Sequence, residues 1–237
     1  MKEILDRALS YGPEFLNRLV RLLTSPKSFL VETSAPQQES LNQAMVFFLC
    51  CVLLAFVLEL PFAAAEDATM LAAVTSMIAH VCFILVASVV YLLGFRLVGG
   101  RTNFLSFFIV TLYISGVYSV MFALVAPVSK GYVLAKDPSL YPEFKSLMDR
   151  YATFDITSFD EVSMFIGKTD MLVGGLLALL VFSSGIVWQF ATWGAYRRIA
   201  QVGRLRSGTA MLISLLIGTP IGYFLTLAQR ALKINLF

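Results

Sequence analysis

Two charge-free runs flank a short basic turn, and together they restrict this chain more than any other feature. Residues 171–196 contain no Asp, Glu, Lys or Arg, and neither do residues 207–229. Between them lies Arg197-Arg198-Ile-Ala-Gln-Val-Gly203-Arg204-Leu-Arg206, four arginines without an acid. Each flank is long enough to cross a bilayer, which takes about 20 apolar residues in a helix. The pair therefore predicts a transmembrane hairpin with the arginines in its turn. Clustered Arg between closely spaced spans is the mark of a cytoplasmic loop.

Composition extends this reading to the whole chain. Hydrophobic residues make up 58% of it and charged residues 14%, against roughly 25% charged in soluble domains. A mean hydropathy of +0.80 over 237 residues implies a polytopic membrane protein, not a soluble domain with one anchor. The net charge of +3 is too small and too local for nucleic-acid binding. Cys50, Cys51 and Cys82 all sit in hydrophobic runs and read as small packing residues. They offer neither a disulfide framework nor metal-ligand spacing. Residues 1–30 are amphipathic and dotted with charge, unlike a cleavable signal peptide.

The expected fold class is all-α, with five transmembrane helices and an N-terminal amphipathic helix. Residues 1–42 form a cytoplasmic segment and linker, and 43–237 form the membrane domain. The spans fall at about 43–64, 69–98, 104–126, 171–196 and 208–228. From Pro13 to Leu23 the apolar positions recur at helical spacing, and Gly12-Pro13 suits a helix start. Such a basic amphipathic helix either lies in the membrane interface or packs on the ends of the spans. Thr24-Ser-Pro26 should stop it, and Val31 to Gln43 reads as a polar linker.

Loop charge orients the spans. With the N-terminus inside, eleven Lys or Arg fall on the cytoplasmic side and seven on the other. The link holding Glu66 and Asp67 carries no basic residue, and the loop 129–170 is net acidic. Both belong outside. That loop should hold a helix within Pro138–Phe154, with Tyr141, Phe144, Leu147 and Met148 on one face. Ser158-Phe-Asp-Glu161 has capping-box spacing and predicts a second helix toward Met164 and Phe165. The loop reads first as a cap over the span ends and second as a docking surface.

Candidate functional residues are few. Glu59 lies near the outer end of the first span and His80, the only histidine, well inside the second. Ionisable residues within spans are costly and mark functional hypotheses. These two would differ in depth by roughly 9 Å if both spans began level. Gly218, Pro220 and Gly222 combine small residues four apart with a proline, which favours close helix contact and a kink. Gly174, Gly185 and Gly116 read as packing notches. Trp188, Trp193 and Tyr196 approach the basic turn, where interfacial aromatics belong. Arg197, Arg198, Arg204 and Arg206 are candidates for lipid or partner contact. No clustered nucleophile and base, cofactor motif or metal set is present, so no enzyme is expected.

Three segments in order resemble the Yip domain family, the five-span membrane proteins named for interaction with Ypt/Rab GTPases. They are Leu22-Leu23-Thr-Ser-Pro26-Lys-Ser-Phe29, then Leu97-Val-Gly99-Gly100-Arg101-Thr-Asn-Phe104, then Trp188 through Tyr196-Arg197-Arg198. The resemblance is to a prokaryotic-type member and implies a non-enzymatic role in the membrane. The resulting expectation is a membrane organiser or scaffold, without cofactor. Its partners would be membrane lipids, and other membrane proteins or a second copy of itself. Its place would be the bacterial inner membrane, with the C-terminus external. The alternative is a small-solute transporter or channel using Glu59 and His80.

Overall fold

The computed structural model describes residues 2–62, 70–152 and 167–235, and every regular element among them is helical. Side chains are described for 11–62, 77–148, 150 and 167–224. In chain order the α-helices are α1 (Lys2–Thr24), α2 (Pro26–Thr33), α3 (Gln38–Glu59), α4 (Met70–Leu97) and α5 (Phe104–Ala123). They continue with α6 (Gly131–Lys136), α7 (Tyr141–Ala152), α8 (Thr169–Ile199) and α9 (Arg204–Asn235). A 3-10 turn over Leu60–Phe62 extends α3, and a π turn over Ala126–Lys130 joins α5 to α6. The linker expected over 31–43 shrinks to residues 34–37, because α2 and α3 reach into it from both sides. Helix α1 begins at Lys2 and runs through Pro13 instead of starting there.

Five helical segments are long and apolar enough to cross a membrane: Gln38–Phe62, Met77–Leu97, Phe104–Lys136, Thr169–Ile199 and Arg204–Phe224. The third continues through the π turn and α6, past the end expected near residue 126. Half of its apolar window is buried, against 17% for the last segment. Leu53, Leu180, Val187, Leu216 and Phe224 are all exposed. In water such surface would drive association; in hydrocarbon it is simply solvated. This is an all-α polytopic membrane architecture. Two buried hydroxyls on the spans are satisfied locally: Ser88 Oγ donates to the Ile84 carbonyl and Thr111 Oγ1 to that of Phe107.

The chain divides into two compact units. One comprises Met1–Cys51, Thr69–Val117 and Trp188–Phe237. Its centre is aromatic: Phe95 lies 5.4 Å from Phe107 and 5.1 Å from Trp193, while Tyr196 lies 5.0 Å from Phe107 and 5.2 Å from Tyr91. Pairs at such separations contribute roughly 0.5–1.5 kcal/mol each beyond burial. Helix α4 meets α9 through small residues: Gly94 faces Ala210 and Ser214, Gly218 approaches Val90, and Gly222 approaches Phe83. Gly116 fits against Cys51 and Phe47.

The second unit comprises Val52–Ala68 and Tyr118–Val187. Here Val133, Phe144, Leu147 and Met171 form a buried cluster, with Leu140 and Met148 against it. Phe144 and Leu147 thus occupy the face expected from their spacing, within α7. A Cβ at Gly174 would stand 2.7 Å from Val133 Cγ2 and 2.9 Å from Phe144 Cζ, so the glycine is what lets α6 and α7 lie on α8. Lys168 and Glu143 add an ion pair at 2.6 Å. The short helices 131–152 therefore cover the start of α8. The helix expected near Ser158–Glu161 and the link holding Glu66 and Asp67 lie outside the described residues.

A Gly94→Ala substitution should separate α4 from α9, because its Cβ would lie 2.9 Å from the Ala210 carbonyl oxygen. Overpacking of this kind costs about 1–3 kcal/mol. Gly208→Ala provides the contrast: no atom lies within 4 Å of its Cβ, and the site is inside α9. It should stabilise by up to about 1 kcal/mol through helix propensity. Thermal unfolding of the detergent-solubilised chain should move in opposite directions for the two variants.

Candidate functional site

The basic turn between α8 and α9 is built from backbone geometry first. Gln201 has φ of 56°, a left-handed value normally taken by glycine. Its N–H donates to the Arg198 carbonyl and the Val202 N–H to that of Arg197. That pattern is the Schellman close of a helix, which satisfies otherwise orphaned carbonyls. The end of α4 repeats it with Gly99 at φ 86°: Gly99 N–H donates to Arg96 O and Gly100 N–H to Phe95 O. Asn103 then caps α5 by accepting from the Ser106 N–H. The Arg101 N–H donates to the Ala200 carbonyl at 3.0 Å and ties the two turns together. The Leu97–Phe104 segment thus has a physical explanation as helix close, crossing and helix start.

Around these turns the side chains are basic. Arg198, Arg204 and Arg206 are exposed, and Arg197 is half-buried. Lys27, from the first turn of α2, lays its stem across Gly194, with Cδ 3.3 Å and Cε 3.6 Å from where a Cβ would stand. Positions 197 and 198 follow Gly194 by three and four residues and so share its helix face. The Arg198 guanidinium holds the Lys27 ammonium below its usual range, with smaller contributions from burial, Arg197 and Arg204. Among the described residues no carboxylate pairs with Lys27, Arg197, Arg198, Arg204 or Arg206.

The aromatics beside the turn do not sit as interfacial residues. Tyr196 is completely buried, and its hydroxyl shares a 2.8 Å hydrogen bond with Thr111. Trp193 Nε1 donates to Ser207 Oγ at 2.7 Å, which fixes the start of α9 against the end of α8. Trp188 is also buried. Three residues apart on one face, Trp193 and Tyr196 are drawn into the core with Phe95 and Phe107. Each finds a polar partner there, so neither needs water.

A second polar constellation involves residues that spacing alone did not single out. The Arg18 guanidinium donates to Glu14 Oε1 at 2.6 Å, to the hydroxyl of fully buried Tyr113 at 3.0 Å and to Gln43 Oε1 at 3.1 Å. Burial alone would lower its pKa; the Glu14 hydrogen bond and the nearby Tyr113 more than offset this and leave it raised. Burial pushes the Tyr11 hydroxyl up to about 12, partly countered by Arg18. Phe15 lies 5.4 Å from Phe47 and Leu22 is fully buried, so α1 packs within this unit along one stripe. Leu16, Val20 and Leu23 form an exposed second stripe. The Glu14–Arg18 spacing was visible in the sequence, whereas the partnership with Tyr113 spans 95 positions.

Glu59 ends α3 and belongs to one unit; His80 lies in α4 and belongs to the other. Both side chains are exposed. Gly218 and Gly222 face α4, and α9 continues through Pro220. No group of three His, Cys, Asp or Glu among the described residues is arranged to hold a metal ion. No protein-family profile, curated protein or solved structure matches this chain.

Removing the Arg18 head should strand the buried Tyr113 hydroxyl, a loss of about 1–3 kcal/mol. Arg18→Met is therefore expected to destabilise more than Tyr113→Phe, and the double variant less than the sum of the two. Denaturation of all three variants measures the coupling. Gln201→Gly should stabilise by roughly 1 kcal/mol by removing the left-handed strain at that position. A lower midpoint for that variant would contradict the helix-closing role given to the turn.

Proposed function

We propose that the chain is a non-enzymatic integral membrane protein of Yip type, an organiser or scaffold acting through protein or lipid contacts. One observation carries this reading: Lys27, Arg197, Arg198, Arg204 and Arg206 have no carboxylate partner among the described residues. Cations left unpaired around two interlocked turns suit an anionic partner better than a structural ion-pair network. The turns themselves are held by backbone hydrogen bonds, which leaves the side-chain charges available. On this reading α1, the α4–α5 turn and the α8–α9 turn face the cytoplasm, because Lys and Arg concentrate there. The C-terminus is then external, and the membrane is the bacterial inner one.

A photo-reactive residue at exposed Gln201 tests both parts. Illumination of intact cells should yield a reproducible adduct to a membrane protein or lipid, lost when Arg197, Arg198, Arg204 and Arg206 become glutamine. A cysteine at the same position should resist an impermeant thiol reagent until the cells are lysed. Labelling before lysis would reverse the orientation. An adduct unchanged by arginine replacement would remove the basis of the organiser reading.

A further inference from the structure

The basic cluster sits awkwardly on its helices. Arg197 and Arg198 occupy the last turn of α8, where cations complement the negative helix end. Lys27 and Arg204 do the opposite. Lys27 lies in the first turn of α2 and Arg204 begins α9, both at positive helix ends that ordinarily attract acids. Neither helix carries an acidic residue in its first turn, and Ser25 gives α2 no side-chain cap. The notch at Gly194 holds the Lys27 stem on the helix that bears Arg197 and Arg198. Like charges are thus held together by packing, not dispersed by it.

We propose, building on the organiser reading, that Lys27, Arg197, Arg198 and Arg204 cradle the phosphate of an anionic phospholipid. A phosphate held by these cations beside the start of α9 meets orphan amide N–H groups and fixed positive charge at once. The surrounding surface selects lipid over a soluble phosphate compound. Leu205, set between Arg204 and Arg206, is 91% exposed, and Leu97 at the end of α4 is 69% exposed. Leu16, Val20 and Leu23 expose a further apolar stripe on α1 in the same unit. Apolar side chains interleaved with arginines suit the boundary between headgroups and acyl chains. A partner that offered carboxylates alone would leave those leucines uncovered.

The test uses the full chain in nanodiscs of phosphatidylcholine with or without phosphatidylglycerol, followed by transfer to detergent and mass spectrometry of retained lipid. The wild type should keep phosphatidylglycerol in preference to phosphatidylcholine and unfold at higher temperature with it. Lys27→Gln/Arg204→Gln should retain it roughly 25-fold less, taking about fivefold for each cation lost near an anionic headgroup. In phosphatidylcholine alone the double variant should be at least as stable as the wild type, because removing two like charges relieves repulsion. Lys136→Gln, on the other unit, should change neither readout. Equal retention by wild type and double variant would overturn the proposal. So would equal stabilisation by inorganic phosphate in phosphatidylcholine discs, which would assign the cradle to a soluble anion. Lipid retention is read on the purified chain, so it can fail while the cross-linked adduct from Gln201 persists, and the reverse.

Discussion

A helix that crosses a bilayer satisfies its own backbone hydrogen bonds except at its ends, where carbonyls run out of partners. This protein meets the difficulty twice in the same way. Phe95 and Arg96 accept from Gly100 and Gly99, and Arg197 and Arg198 accept from Val202 and Gln201. The single bond from Arg101 N–H to Ala200 O then joins the two closures. Much of the first unit follows from this arrangement. It fixes where α8 gives way to α9, and hence which arginines gather beside Lys27.

Packing beneath the turns uses the same economy of space. Gly100 leaves no room for a Cβ, which would stand 2.7 Å from the Phe95 carbonyl oxygen. Phe95 in turn belongs to the aromatic cluster with Phe107, Trp193 and Tyr196. A close backbone turn and a dense aromatic core are therefore one construction. The hydroxyl pair Thr111–Tyr196 and the Trp193–Ser207 bond satisfy the polar atoms that this core encloses. Arg18 extends the theme to α1, since it reaches Tyr113 and Gln43 while keeping Glu14 as its counter-ion. An N-terminal helix is in this way made part of the membrane unit without giving up its exposed apolar stripe.

The charge pattern takes on a different meaning once these contacts are known. Read along the chain, the four arginines after Tyr196 are a topological signal, and Lys27 is one more cation in an N-terminal segment. Lys27 is packed on the helix that bears Arg197 and Arg198, and none of the five cations pairs with a carboxylate among the described residues. An arrangement that holds like charges close has an electrostatic cost, and a bound anion relieves it. That is the physical link between the fold and the proposed role at the membrane.

What the amino-acid sequence determined by itself was the class of solution. Long charge-free runs have to become helices in a bilayer, so the five spans and the basic turn between the last two could be read directly. The spacing of Phe144, Leu147 and Met148 likewise announced the buried face of α7, since a helix places such positions on one side. Only the tertiary structure decided which partners those helices bring. Tyr196 could be read as an interfacial aromatic until its ring was found among Phe95 and Phe107 with its hydroxyl on Thr111. Arg18 with Tyr113, and Lys27 over Gly194, join residues far apart in the chain. The reason is physical: periodicity reports which face of a helix is apolar, whereas the partner on that face is set by packing between helices.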